Sequence, residues 1–342
     1  MKSALAEGVL LAILSGLMNG SFTFPMRFLG RWDWEHVWSL FIVVSCLIMP
    51  TLLIGIEAPQ SWAIIAHAPA NAVAIAALAG FAWGFGAIMF GQSVSAIGIS
   101  LANTLVLAIS SALGSLMPIL FLARQRLFER EGRSIMEGVA IEIVGIGLCG
   151  YAGRLREKAG GAGNRGKMVG KARPLGIALL LAVGSGTLSG VFNIGFALAQ
   201  PIAAFGRAAG LSAFASTNLI WWIMLVAGSL ANLGFCLYLL LKGRNFAKFL
   251  APGGMRLYSL TTLMALLWGG SIFVYGAAAP RLGSLGVSIG WPLSLATGLL
   301  LANAIGIGLG EWRHAPRRAQ WQMYAGIAIL LVAIVVLGRA GS

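Results

Sequence analysis

The sequence predicts an all-α membrane protein: ten transmembrane helices arranged as two inverted five-helix repeats. Three observations carry that expectation: an apolar excess, the spacing of uncharged runs, and short motifs that recur in order on either side of a basic loop. Of 342 residues, 58% are hydrophobic and 10% charged, and the mean hydropathy is +0.88. Soluble domains carry about 25% charged residues, so a soluble globular chain is excluded. The apolar share supplies roughly the 200 positions that ten helices of ~20 residues need to cross a bilayer.

Stretches free of Lys, Arg, Asp and Glu run 8–26, 36–56, 58–123, 143–153, 174–206, 208–241, 257–280, 282–310 and 319–338. The longest exceeds a single helix and divides near Ser95–Ser100. The run at 143–153 reaches spanning length only if Glu137 and Glu142 enter the membrane with it. The expected spans are therefore 5–25, 36–56, 71–95, 100–122, 135–153, 174–199, 213–241, 257–279, 286–309 and 319–339. The first opens like a signal peptide but continues through Asn19, Ser21 and Pro25 with no small-residue cleavage site, and reads as a retained span.

Residues 1–153 and 174–342 read as the two repeats, and the Gly- and Lys/Arg-rich stretch 154–173 as the linker loop between them. Ser15-Gly16-x-x-x-Gly20-x-Phe22 recurs as Ser185-Gly186-x-x-x-Gly190-x-Phe192. Trp83-Gly84, Phe90-Gly91 and Gly98 recur as Trp268-Gly269, Tyr275-Gly276 and Gly283, at a constant offset of 185. Five is odd, so the halves insert in opposite orientations, an architecture of secondary transporters whose site lies near the midplane between the repeats.

The net charge of +14 resides in short loops rather than on a nucleic-acid-binding face, and no nucleic-acid partner is expected. Loops after the odd-numbered spans hold 16 Lys and Arg, against 8 on the other side with the termini. The positive-inside bias then places the 154–173 loop in the cytoplasm and both termini outside. Cys46, Cys149 and Cys236 lie inside apolar runs and read as small core residues. No nucleophile elbow, zinc-protease motif, phosphate loop or metal-ligand cluster is present, so neither an enzyme nor a cofactor is expected.

Polar residues inside the spans point to a site. Gly16 and Gly20 share a helix face that admits a neighbouring backbone, and Asn19 flanks it, either bonding another helix or meeting a ligand. Asn193, with Ser189, invites the same two readings in the second half. Trp83 and Trp268 sit mid-span, where each offers a flat apolar face and an N–H. They serve either as bulky packing beside glycines or as platforms for a sugar ring. Trp291-Pro292 adds a third aromatic, with backbone polar groups freed by the proline. Trp32, Trp34, Trp38 and Trp62 lie near span ends and read as interfacial anchors. The other intramembrane polar residues, Gln92, Asn103, Thr104, Gln200, Asn218, Asn232 and Asn303, are uncharged and imply a neutral polar ligand. The candidate binding set is Asn19, Trp83, Asn103, Asn193, Trp268 and Trp291.

The chain resembles the L-rhamnose–proton symporter family of the drug/metabolite transporter superfamily. The likeness rests on Asn19-Gly20-Ser21-Phe22, Pro25-Met26-Arg27, Trp32-Asp33-Trp34-Glu35 with Trp38, and Trp83-Gly84-x-Gly86 with Gly91. It continues through the Gly98–Pro118 span, Asn232-Leu233-Gly234-Phe235-Cys236 and Gly310-Glu311-Trp312. The ninth span, with Gly290-Trp291-Pro292, departs from the enterobacterial members, and Glu142 stands outside the family pattern. The resemblance implies a ten-helix carrier of the bacterial inner membrane that couples a proton to uptake of a methylpentose such as rhamnose. An exporter or facilitator of the same fold is the alternative, and a non-transporting sensor or assembly factor has no need of inverted halves. Proton coupling requires a titratable group. Glu142 qualifies by depth, about 10 Å along its helix at 1.5 Å per residue, while Glu311 and Glu35 qualify by resemblance but sit at span ends near Arg313 and Arg31.

Overall fold

The computed structural model describes residues 2–30, 32–57, 59–159, 174–250 and 254–340. Arg31 and most of the expected linker, 160–173, lie outside the described residues. The described chain contains no strand and ten helices long and apolar enough to cross a membrane. Spans 1 to 5 are Ser3–Met26, Trp34–Glu57, Ala70–Val94, Ile99–Leu122 and Arg130–Ala159. Spans 6 to 10 are Leu175–Ala208, Ala213–Gly243, Gly254–Leu282, Gly286–Gly308 and Arg317–Arg339. The fifth helix continues through Arg154–Ala159, so the first residues of the expected linker are helical.

Local chemistry explains the irregularities. In span 2 the ladder loosens into a π turn at Val43–Ile48, just before Pro50, whose ring and missing N–H break regular α-helical bonding. The helix of span 3 runs on to Ile97, so Gly98 alone, at φ 82°, separates it from span 4, and the turn before span 9 holds Gly283 at φ 88°. A side chain at either position would be strained. These are the two glycines related by the offset of 185.

Packing follows a regular scheme. Span 1 lies against spans 8 and 9, and span 6 against spans 3 and 4. Span 7 packs on spans 2 and 3, span 2 on spans 7 and 8, span 4 on span 5, span 9 on span 10, and span 5 on span 10. Each of these pairs has its counterpart when span numbers are shifted by five. Spans 2 and 7 run antiparallel: Asn245, just past span 7, bonds Glu35 at the start of span 2, and Asn218 near the other end bonds Glu57. Spans 5 and 10 are also antiparallel, with Gly138 on Leu337, Gly145 on Leu330 and Cys149 on Gly326.

The small-residue motifs form the tightest seams. A methyl group placed on Gly20 would lie 2.3 Å from the Gly298 carbonyl oxygen, and one on Gly16 2.5 Å from that of Ser294. Gly186 and Gly190 meet span 4 in the corresponding way, at Ile109, Val106 and Leu113. Without a hydrophobic force between helices in lipid, such close approach and the bonds across it hold the bundle together.

Candidate functional site

An aromatic chain crosses the middle of the bundle. Trp83 of span 3 and Trp268 of span 8 stack on each other, centroids 5.2 Å apart and planes 14° from parallel. Both rings remain partly exposed. On one side Trp268 meets Phe41, which stacks on Trp38, which stacks on Trp34. On the other, Trp83 meets Phe192, then Trp221, which lies flat on Phe196 at 4.1 Å. Trp221 was not singled out from the sequence; nothing local distinguishes it from its neighbour Trp222.

Of the tryptophans read as interfacial anchors, two are buried and Trp38 is partly buried. Trp32 and Trp34 are 6% and 9% exposed, and Trp38 donates its N–H to Asn232 Oδ1 at 2.9 Å. Trp32 donates to the Lys248 carbonyl at 3.0 Å. Their position near a span end is compatible with burial because another helix or loop, rather than lipid, covers them. Trp62 is 43% exposed, as an anchor requires.

A second cluster joins spans 4, 6, 8 and 9. Asn193 is fully buried, and its amide donates to the Gly114 carbonyl at 2.8 Å while its carbonyl accepts from Tyr275 Oη at 2.6 Å. Trp291 donates its N–H to Ser110, at 3.2 Å to the carbonyl and 3.3 Å to the hydroxyl, and meets the Tyr275 ring edge-on. Ser110 donates to Ser189 at 2.9 Å. Sequence reasoning missed Tyr275 and Ser110; Tyr275 stood in a recurring motif, but only as a match to Phe90. The polar atoms of Asn193 and Trp291 are thus committed to protein partners. Asn19 and Asn103 are half-buried and make no side-chain hydrogen bond among the described residues. The Asn19 amide lies beside Gly298 on the seam between spans 1 and 9.

The three acids differ in setting. Glu142 is fully buried, one oxygen accepting from Ser111 Oγ at 2.5 Å and the other, Oε1, having no partner. Glu311 accepts from Arg156 at 2.8 Å, and that guanidinium lies 4.8 Å over the Trp312 ring. A cation beside Glu311 thus comes from the end of span 5, a helix distant in sequence. Glu35 accepts from Asn245 at 2.8 Å.

Glu35 belongs to a surface cluster at the start of span 2. Asp33 Oδ2 accepts from Lys248 at 2.5 Å and Asn245 at 3.1 Å. The Lys248 ammonium, hydrogen-bonded to Asp33, holds that carboxyl below its ordinary range. His36 is fully buried and bonds the Asn245 carbonyl through Nε2, while Nδ1 has no hydrogen-bond partner. One ligand atom each from Asp33, Glu35 and His36 falls within a 4.8 Å group, but Lys248 and Asn245 already serve the carboxylates. The cluster is better suited to joining the span 1–2 loop to the segment after span 7 than to holding a metal. Free cysteines Cys46, Cys149 and Cys236 are all buried.

Comparison with known proteins follows the same outline. Residues 1–341 match the family described as L-rhamnose-proton symport protein (RhaT). The chain is 27% identical over 345 residues to a protein of Citrobacter koseri named L-rhamnose-proton symporter, covering 99% of this chain and 98% of the relative. Proteins of the same name from Salmonella paratyphi B and Salmonella newport are each 26% identical over 347 residues, again covering 99% of this chain and 98% of the relative. A match along effectively the whole length, together with ten membrane-crossing helices, establishes the chain as a multi-pass membrane transporter, not an enzyme, of the L-rhamnose-proton symport protein family.

Proposed function

We propose that this protein couples proton movement to uptake of a neutral sugar, L-rhamnose or a similar methylpentose, across the bacterial inner membrane. The observation that carries the reading is the Trp83–Trp268 stack. Two mid-span indoles at repeat-equivalent positions meet where the halves meet, and a ring with apolar C–H faces and a hydroxyl rim suits that platform. Asn19 and Asn103 supply uncommitted amides for the rim, and Asn193 and Trp291 complete the wall. The relatives' shared name supports the substrate class. The exporter reading of the same fold has no observation that favours it. Sugar-driven alkalinisation of a weakly buffered suspension of expressing cells, with rhamnose, fucose, lyxose and mannose compared, tests the coupling and ranks the sugars.

The proposed frame is two inverted five-helix repeats, 1–153 and 174–342, with 154–173 as a cytoplasmic loop and both termini outside. Support comes from helix pairs that recur on adding five, and from the antiparallel course of spans 2 and 7 and of spans 5 and 10. A two-fold axis in the membrane plane relates such equivalent helices head to tail. Gly163→Cys should resist a membrane-impermeant thiol reagent in intact cells; ready labelling would reverse the orientation.

Glu142 is the proposed proton carrier, ahead of Glu311 and Glu35. A carboxyl buried at membrane depth with one unpartnered oxygen is costly unless it takes up and releases a proton, whereas Glu311 and Glu35 each rest in a span-end pairing. Glu142→Gln should abolish sugar-driven alkalinisation and spare sugar exchange, which moves no net proton. Intact alkalinisation in Glu142→Gln would transfer the role to Glu311.

A further inference from the structure

Span 4 presents two adjacent polar ridges. Ser110 and Gly114 are four residues apart and share one face, where they bond Trp291, Ser189 and Asn193 of the sugar-site wall. Ser111 and Ser115, each one residue later, share the neighbouring face. Ser111 holds Glu142 Oε2 at 2.5 Å. Ser115 Oγ and Glu142 Oε1 are both buried and both lack a hydrogen-bond partner. An acid group with an idle oxygen and a serine with an idle hydroxyl thus lie within one turn of an existing serine–carboxyl bond.

The protonation state decides whether that arrangement suffices. A protonated carboxyl has an O–H to give and needs few donors; an ionised one only accepts, at two oxygens. A carboxylate buried among helices requires donors to both. The elements packed around Glu142, spans 4, 9 and 10, offer no other charge at its level. Spans 4 and 9 hold no titratable residue, and span 10 holds only Tyr324 between Arg318 and Arg339. On span 5 itself the nearest are Glu137 and Cys149, with Tyr151 beyond.

Accepting Glu142 as the proton carrier, we propose that span 4 transmits its protonation state to the sugar site. When the acid O–H bond breaks and the proton leaves to solvent, Ser115 donates to Oε1 beside the Ser111–Oε2 bond. Gaining that second bond shifts span 4 against span 5. Ser110 and Gly114, on the same rigid helix, then move against Trp291 and Asn193. Ser111 and Ser115 are positioning residues: they touch the proton carrier, not the sugar.

The test measures the apparent Michaelis constant for rhamnose in exchange, in mildly acidic and mildly alkaline buffer, together with the pH profile of uptake. Ser115→Ala should displace the uptake profile by about one pH unit, the tenfold change in proton occupancy that one donor to a charged group represents. It should also flatten the pH dependence of the Michaelis constant. Ser115→Thr restores both, and Ser115→Cys, close to serine in volume and a weak donor, behaves like the alanine variant while guarding against a packing defect. Thr261→Val, which removes another buried unpartnered hydroxyl, leaves both readouts at their native values. If Glu142→Gln abolishes alkalinisation while Ser115→Ala and Ser115→Cys keep native pH dependence, the span 4 linkage is wrong and the proton carrier stands. If Glu142→Gln keeps alkalinisation, the proton-carrier reading itself fails.

Discussion

The seam between spans 1 and 9 and the seam between spans 6 and 4 are built from one motif, Ser-Gly-x-x-x-Gly-x-Phe, yet they carry their polar groups differently. In the first, Ser15 bonds the Ser271 carbonyl and Ser294, while Asn19 beside Gly298 bonds nothing among the described residues. In the second, Ser189 and Asn193 are both engaged, by Ser110, Gly114 and Tyr275. The two seams share close backbone approach and differ in their hydrogen bonding. The seam of span 6 thus has its amide bound into a rigid wall, and the seam of span 1 has an amide left unbonded.

The largest expected effect breaks the seams themselves. Gly20→Val pushes a side chain into the Gly298 backbone, whose carbonyl oxygen lies 2.3 Å from the new Cβ, whereas Gly190→Val meets Leu113 Cβ at 2.8 Å with the nearest backbone atom 3.4 Å away. Gly20→Val should destabilise by more than about 3 kcal/mol and Gly190→Val by about 1–3 kcal/mol. Gly147→Val, with no atom within 4 Å, serves as the reference. Thermal unfolding of the detergent-purified variants orders the three; equal losses at Gly20 and Gly190 would show that backbone contact is not what separates the seams.

Next come the amides. Asn193→Ala strands the Gly114 carbonyl in a buried site and removes the shorter of the Tyr275 hydroxyl's two bonds. That should cost about 1–3 kcal/mol of stability. Asn19→Ala strands no protein partner, so stability should hold while sugar affinity falls by about 0.5–1.5 kcal/mol, two- to tenfold in Kd. A stability loss at Asn19 with unchanged affinity would make it a structural amide like Asn193.

Why the spans were legible and this contrast was not is a matter of range. Nine uncharged runs and the recurring motifs are local signals, read directly from composition and spacing. Partners are not local. Nothing around Asn193 tells that Tyr275 and Gly114 will satisfy it, and nothing around Asn19 tells that it will be left over. Trp32 and Trp34 misled for the same reason: depth in the membrane follows from position along a helix, but burial depends on which helix or loop lies alongside. Glu142 was visible as an acid inside an apolar run; Ser111 was not, because a serine in a helix commonly bonds its own preceding turn.

The tryptophan pair sharpens the comparison at the place where spans 3 and 8 touch. Trp83→Phe and Trp268→Phe keep an aromatic face but lose area and the indole N–H, so each should raise the apparent Michaelis constant for sugar severalfold. Trp62→Phe, on an exposed ring that packs edge-on against Trp222, should leave it unchanged. Equal effects at all three positions in an uptake assay would remove the stacking argument.

The smallest effect lies outside the hydrocarbon, where the two halves also bond. Lys248 of the second half meets Asp33 of the first at 2.5 Å, but both side chains are nearly half exposed, 46% and 43%. Water screens such a pair, so Lys248→Met should cost no more than about 1 kcal/mol at neutral pH, well below the loss of a seam amide. The sign of its pH dependence follows from Asp33, whose carboxyl is held below its ordinary range by the hydrogen bond from Lys248. A depressed folded-state pKa stabilises above the unfolded value, about 3.9 for Asp, and that contribution is lost as the pH falls through the folded value. Tm measured for the native protein and Lys248→Met should therefore differ slightly at neutral pH and converge below about pH 4. A gap as large as that of Asn193→Ala would mean that this surface bond, rather than the buried seams, holds the halves together on that side of the membrane.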